Sequence, residues 1–250
     1  MRDTLGWRRT YGVVTPSTNT VVQPEYDGMR PPGVTNHVAR MHIPDAPVRS
    51  DRDFDELIRR IDVALEEAVD RVVTCRPDHL VLGISAESVW GGGLEPSRRI
   101  AARIRARAGD LPVTQAADAL PAAFEALGIG RRIGLLTPYF PVAEPHLKEF
   151  FQAFGVTVLR AVHLSCTGPV EIGQTTEQEL IRALRGLDGP DLDAIVQFGA
   201  NLPMGRVAAE AERWLEKPVL AVNTVTYWHA LRSGGIPDRL HGFGRLLWEH

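Results

Sequence analysis

Gly12-Val13-Val14-Thr15-Pro16 returns, from residue 134, as Gly134-Leu135-Leu136-Thr137-Pro138. A short apolar run closed by Thr-Pro reads as a buried strand running into a loop. Two further echoes follow in the same order. Leu80-Val81-Leu82-Gly83 has a counterpart in Ile195-Val196-Gln197-Phe198-Gly199, which sets Gly83 against Gly199. Leu111-Pro112-Val113 matches Lys217-Pro218-Val219. Three matches in one order, with slowly shrinking offsets, indicate a duplicated unit. Amphipathic stretches separate the apolar runs, a rhythm that belongs to α/β proteins with parallel sheets. The fold expected is therefore α/β, two pseudo-symmetric parallel-sheet halves with a cleft between them. The first half covers 1–116 and the second 117–227, with 228–250 packing back on the first.

Working outward, Tyr11–Val14 and Val34–Ile43 read as strands. Phe54–Cys75 reads as one helix, with Leu57, Ile58, Ile61, Ala64, Leu65, Ala68, Val69 and Val72 on one face. Leu80–Leu82 is a buried strand, Pro96–Ala108 a helix and Leu111–Thr114 a further strand. A final helix is expected over Tyr227–Ser233. The chain has 250 residues, 44% hydrophobic and 24% charged, with net charge −3 and no basic run. That balance argues against a nucleic-acid surface, which needs clustered Lys and Arg. The apolar runs are too short to span a bilayer. Met1–Arg9 has no apolar signal segment, and two cysteines, Cys75 and Cys166, build neither a disulfide framework nor a metal cluster. A cytoplasmic protein without metal or other cofactor is expected.

Ligands of parallel sheets bind beyond the carboxyl ends of the strands, where loops lead into helix N-termini. Four such loops occur here: Thr15–Thr20, Gly83–Ser88, Thr137–Tyr139 and Gly199–Asn201. Their Gly, Ser, Thr and Asn content suits a small carboxylate or dicarboxylate. Substrate-binding candidates are Ser17, Asn19, Gly83, Ile84, Tyr139, Gly199, Ala200 and Asn201. Ser17 and Asn19 serve equally well as helix N-caps. Catalytic candidates are Glu87 as a general base, with Ser85 and Tyr139. A glutamate at a helix start also simply complements the helix dipole. The triple glycine Gly91–Gly93 is a hinge or a turn, and Trp90 is the tryptophan expected to shape the pocket.

The run Gly12-Val13-Val14-Thr15-Pro16-Ser17-Thr18-Asn19-Thr20-Val21-Val22-Gln23-Pro24-Glu25-Tyr26 resembles the N-terminal signature of the maleate cis-trans isomerase family. Gly33-Val34, His37, Arg40 and Met41 continue it, and Leu136-Thr137-Pro138-Tyr139 resembles the family's second tyrosine loop. The resemblance extends to arylmalonate decarboxylases and the wider aspartate/glutamate racemase superfamily. It implies flavodoxin-like halves, a homo-oligomer (dimer or tetramer), and isomerase, lyase or decarboxylase chemistry. It further implies that Asn19 holds a substrate carboxylate, that Tyr139 bonds the substrate, and that Ser85 joins an oxyanion-binding group. The family's reaction uses a cysteine after one or both repeated central strands, as nucleophile and proton carrier. The repeat puts Gly83 and Gly199 there, and neither Cys75 nor Cys166 is near. The expectation is a cysteine-independent enzyme acting next to a carboxylate. The alternative is a binder or sensor of small acids that has lost catalysis.

Overall fold

The computed structural model describes residues 4–86 and 88–250. The strands of the first half are β1 (Arg9–Pro16), β2 (Val34–Met41), β3 (His79–Leu82) and β4 (Val113–Thr114). Its helices are α1 (Val22–Gly28), α2 (Asp51–Val63), α3 (Leu65–Val73), α4 (Glu95–Ala108) and α5 (Ala116–Leu127). The second half contributes β5 (Arg132–Thr137), β6 (Thr157–His163), β7 (Ala194–Gln197) and β8 (Val219–Ala221). Its helices are α6 (Glu144–Gln152), α7 (Pro169–Gly173), α8 (Glu177–Leu187), α9 (Gly205–Leu215), α10 (Val222–Ser233) and α11 (Arg245–Glu249). Among the described residues these strands form two four-stranded sheets of like order, β2-β1-β3-β4 and β6-β5-β7-β8. Every pairing is parallel.

The ladder registers fix how the halves correspond, and they correct one residue of the sequence alignment. Val14 pairs with Leu82 and Leu136 with Gln197. The next bonds repeat the pattern, Gly83 N–H donating to Val14 O (2.8 Å) and Phe198 N–H to Leu136 O (2.9 Å). Gly83 therefore corresponds to Phe198, and the counterpart of Gly199 is Ile84. The glycine-to-glycine match slid the alignment by one, because identical residues outweigh geometry when only the sequence is read.

The single helix expected over Phe54–Cys75 is two. The N–H of Ala64, at φ −85° and ψ −1°, is shared between Arg60 O (3.3 Å) and Ile61 O (3.2 Å), and the chain turns there. The break serves two masters. The α3 residues Leu65, Ala68, Val69 and Val72 are buried under the first sheet, in a core with Val14, Leu80 and Leu82. Phe54, Leu57, Ile58 and Ile61 of α2 line the cleft, with Leu57 and Ile61 at the border where that core meets it. One straight helix presents one stripe and does not face both. Arg103 of α4 ties the joint, its Nε donating to Glu66 Oε1 (2.6 Å) and its Nη1 to Asp62.

The helix expected over Tyr227–Ser233 begins earlier, at Val222, and nine of its twelve residues are buried. A helix buried on nearly all sides belongs between layers, and α10 lies there, its buried polar residues Asn223, Thr224 and Thr226 included. Although it follows the second sheet in sequence, it is anchored on the first. Tyr11 Oη donates to Ala230 O (2.8 Å), Arg9 Nη2 to Gly234 O (2.7 Å), and Tyr227 Oη to Asn36 Oδ1 (2.9 Å). Alongside it runs α5, whose Phe124 meets Phe154 of the second half edge-on. The largest core contains strand residues of both sheets. No described helix is long and apolar enough to cross a membrane.

Candidate active site

Strand-end loops of both halves converge on one cleft. It is lined by Pro16, Thr18 and Asn19, by Gly83–Ala86, by Pro138 and Tyr139, and by Gly199–Asn201. Parallel strands bring this about, since all their carboxyl ends lie on one side of each sheet. The remaining wall is apolar: Ile43, the four α2 residues, Pro169 and Ile172. Among the described residues that line it, none carries a charged side chain.

A hydrogen-bonded pair joins the halves inside the cleft. Ser85 Oγ and Tyr139 Oη lie 2.7 Å apart, and Ala200 N–H donates to Ser85 Oγ at 2.9 Å. Ser85 is 3% exposed and Tyr139 6%, so their bond is shielded from water and correspondingly strong. One hydroxyl proton lies within the pair and the other is directed outside it. Phe54 packs on Tyr139 with ring centroids 5.2 Å apart, fixing the phenol from the apolar side. The Tyr139 N–H donates to Thr137 Oγ1 (3.3 Å), which sets the turn.

Asn19 has two duties on its carbonyl side. Its Oδ1 accepts from Val21 N–H (3.0 Å) and Val22 N–H (2.8 Å), capping the loop into α1. Its backbone oxygen accepts from Arg40 Nη1 (2.7 Å), whose Nη2 donates to Gln23 Oε1 (2.9 Å). The Asn19 Nδ2 group donates to no acceptor among the described residues, and Asn19 lines the cleft. Both readings of this residue are thus compatible: cap with one end, ligand donor with the other.

The other sequence candidates divide. Gly83, Ile84, Gly199 and Ala200 reach the cleft. Asn201 reaches it too, but its side chain is occupied in joining the halves. It accepts from Thr20 N–H (2.9 Å) and donates to Pro169 O (2.8 Å) and Thr18 O (3.5 Å). Ser17 is not among the lining residues. Its hydroxyl exchanges bonds with Ile43, donating to the carbonyl (3.1 Å) and accepting from the N–H (3.0 Å). Glu87 lies outside the described residues. Trp90 stands behind the wall, edge-on to Phe54 (5.1 Å) and against His146 (4.5 Å). The sequence reading missed the α2 wall, because its three-and-four apolar spacing is what a core-facing stripe also shows.

Neither thiol belongs to the cleft. Cys75 is exposed at the end of α3 and donates to Val72 O (3.0 Å), while Cys166 is half-buried beside Thr175. Burial raises the pKa of both, which favours the unreactive thiol. The position equivalent to Ile84 in the second half is closed to side chains altogether. Gly199 sits at φ +147°, and a Cβ there would strike the Pro138 ring. Among the described residues no group of three or more His, Cys, Asp or Glu is placed to hold a metal.

A family model described as arylmalonate decarboxylase matches residues 57–247. The chain is 28% identical over 252 residues to a maleate isomerase of Nocardia farcinica (strain IFM 10152), covering 97% of this chain and 96% of that one. Among solved structures, a Cys-to-Ser mutant of the Nocardia farcinica maleate cis-trans isomerase with a covalently bound succinylcysteine intermediate superposes with a TM-score of 0.86. Identity there is 25%, with coverage of 97% and 99% of the two chains. Arylmalonate decarboxylase superposes with a TM-score of 0.73 at 23% identity, over 96% of this chain and all of that one.

Proposed function

The chain belongs to the arylmalonate decarboxylase family, and from that premise we propose that it is a cysteine-independent enzyme cleaving a bond beside the carboxylate of a small, apolar-substituted acid. Its relatives are enzymes of isomerase and decarboxylase type. Decarboxylation of a substituted malonate fits the cleft best.

The observation that carries this reading is the Ser85–Tyr139 pair, fixed by Ala200 N–H and facing an uncharged, apolar wall. One carboxylate of the substrate is held by Asn19 Nδ2 and the hydroxyl pair. The apolar substituent rests on Phe54, Leu57, Ile58 and Ile61. When the bond to the other carboxylate breaks, carbon dioxide leaves. The electron pair stays on the α-carbon and spreads into the retained carboxylate as an enediolate. Fixed hydroxyl and amide donors stabilise that charge as it forms, the kind of effect worth about 3–4 kcal/mol per donor. A carboxylate held without a counter-ion against hydrocarbon is also poorly solvated, which favours its loss. The α-carbon then takes a proton from Glu87, the acidic group proposed to supply it, and the Glu87 carboxylate is reprotonated from water.

Cis–trans isomerisation is supported less well. Opening a carbon–carbon double bond to rotation needs a nucleophile that adds and leaves. Gly83 and Ile84 after the first central strand and Phe198 and Gly199 after the second supply none, and both thiols lie elsewhere.

Proton NMR in deuterated water tests the reading, with phenyl-substituted malonate, unsubstituted malonate and maleate as substrates. Conversion of the substituted malonate with deuterium at the α-carbon is expected. Ser85→Ala and Tyr139→Phe should each lower kcat by about 10²–10³, and Glu87→Gln should lower it as well. Binding of acids without conversion would instead make the protein a sensor, and indifference of turnover to both hydroxyl variants would overturn the role of the pair.

A further inference from the structure

Behind the cleft lies a second polar cluster that the proposed reaction does not touch. Glu25 of α1 has both carboxylate oxygens engaged by the second half. Oε1 accepts from Gly205 N–H at the start of α9 (2.8 Å) and Oε2 from Asn223 Nδ2 of α10 (2.7 Å). The same Asn223 Nδ2 donates to Ala200 O at 2.9 Å. The N–H of Ala200 is the group that donates to Ser85 Oγ. A continuous path therefore runs from Glu25 through Asn223 and residue 200 to the Ser85–Tyr139 pair.

We propose that Glu25 is a positioning residue for that pair, holding it in register while ionised and loosening it when protonated. This rests on the reading of Ser85 and Tyr139 given above. The physical basis is the donor count. A carboxylate accepts at both oxygens, and Asn223 can then give one amide proton to Glu25 and the other to Ala200 O. A proton on the carboxyl weakens acceptance at one oxygen and sets a donor near the Gly205 N–H or the Asn223 amide. The buried Asn223 Oδ1, which has no hydrogen-bond partner among the described residues, is the acceptor that such a proton would recruit. Turning the amide to offer it withdraws Nδ2 from Ala200 O.

The groups facing Glu25 keep this equilibrium near neutrality. Burial raises its pKa to about 7, opposed by Asn223 and by the N–H groups of Gly205 and Met204. These contacts from α9, α10 and the loop before α9 carry no charge. The carboxylate in turn raises the pKa of the fully buried Tyr26 phenol beside it, which burial already holds neutral. No cation among the described residues is paired with the carboxylate.

The test reads the backbone directly, by amide NMR of the whole protein from pH 5.5 to 8.5. In the wild type the Gly205 and Ala200 amide shifts should titrate together. Glu25→Gln should abolish both titrations. Asn223→Ala should abolish the response of Ala200 while Gly205 still titrates, which also covers the case that Glu25→Gln fails to fold. An Ala200 amide that does not titrate, or that titrates unchanged in Asn223→Ala, overturns the proposal. Turnover of the substituted malonate supplies a second readout: its rate should fall about tenfold on the acid side, and Glu25→Gln should remove that limb. A protein inert to every acid in which Ala200 still follows Glu25 would overturn the reading of the reaction and leave the coupling standing.

Discussion

Gly199 and Ile84 occupy equivalent places after the two central strands, yet they answer substitution differently. Gly199→Cys forces a side chain into a left-handed backbone and against Pro138, at a cost of about 3 kcal/mol. Ile84→Cys only shortens a buried side chain at the same place in the other half, costing about 1–2 kcal/mol. Urea denaturation of the two variants checks the order, and Gly199→Cys should gain no thiol-dependent activity. Glu25 supplies a pH prediction. Its native pKa of about 7 exceeds the ordinary 4.5, so the folded state binds more protons across that interval. Its contribution to stability is therefore full below about pH 4.5 and declines until about pH 7, by at most about 3 kcal/mol and less for a partly exposed residue. His79 works in the opposite sense. Burial lowers its pKa to about 4, so its contribution rises with pH between about 4 and 6.5. The difference between wild type and Glu25→Gln isolates the falling slope; a difference flat with pH would contradict it. At this scale the sequence was legible in the strand-end loops, whose candidates Asn19, Ser85 and Tyr139 all line the cleft. Asn19, Ser85 and Tyr139 could be named because loops after parallel strands are where ligands go. Glu25 was passed over, since nothing in a sequence says that a helix-start glutamate will meet another half's amides.

Among the elements, α2 gives the cleft its character. Phe54 contacts both Tyr139 and Trp90, so Phe54→Ala should lower stability by about 3 kcal/mol. It should also raise KM about tenfold for a phenyl-substituted acid while leaving an unsubstituted one little changed. Equal effects on both would show that α2 does not receive the substituent. The helix itself was legible from its apolar spacing, but its break at Ala64 was not. Both segments carry the same period, and only the sheet on one side and the cleft on the other decide where the stripe must turn. The likeness of the two sheets, by contrast, followed from the repeat, because duplicated units fold alike. The one-residue slip between Gly83 and Gly199 arose because the repeat was aligned by identity, whereas ladders are aligned by hydrogen bonds.

Taken whole, the molecule is two similar sheets that share their helices. The first sheet is covered by α10, which the chain reaches only after building the second. A fragment of residues 1–131 therefore lacks the surface that buries Tyr11, and it should show no cooperative thermal transition by circular dichroism. The intact chain should unfold in one step. A fragment that melts cooperatively would show that the first half closes without α10. The location of α10 also makes the halves depend on each other. A first half made as a separate polypeptide would leave uncovered the face of its sheet on which α10 lies. Joined in one chain, the two halves meet without any dependence on protein concentration. Because the halves differ, Ser85 comes from one and Tyr139 from the other, and their bond has no counterpart across the pseudo-symmetry, where Ala200 and Ser17 stand instead.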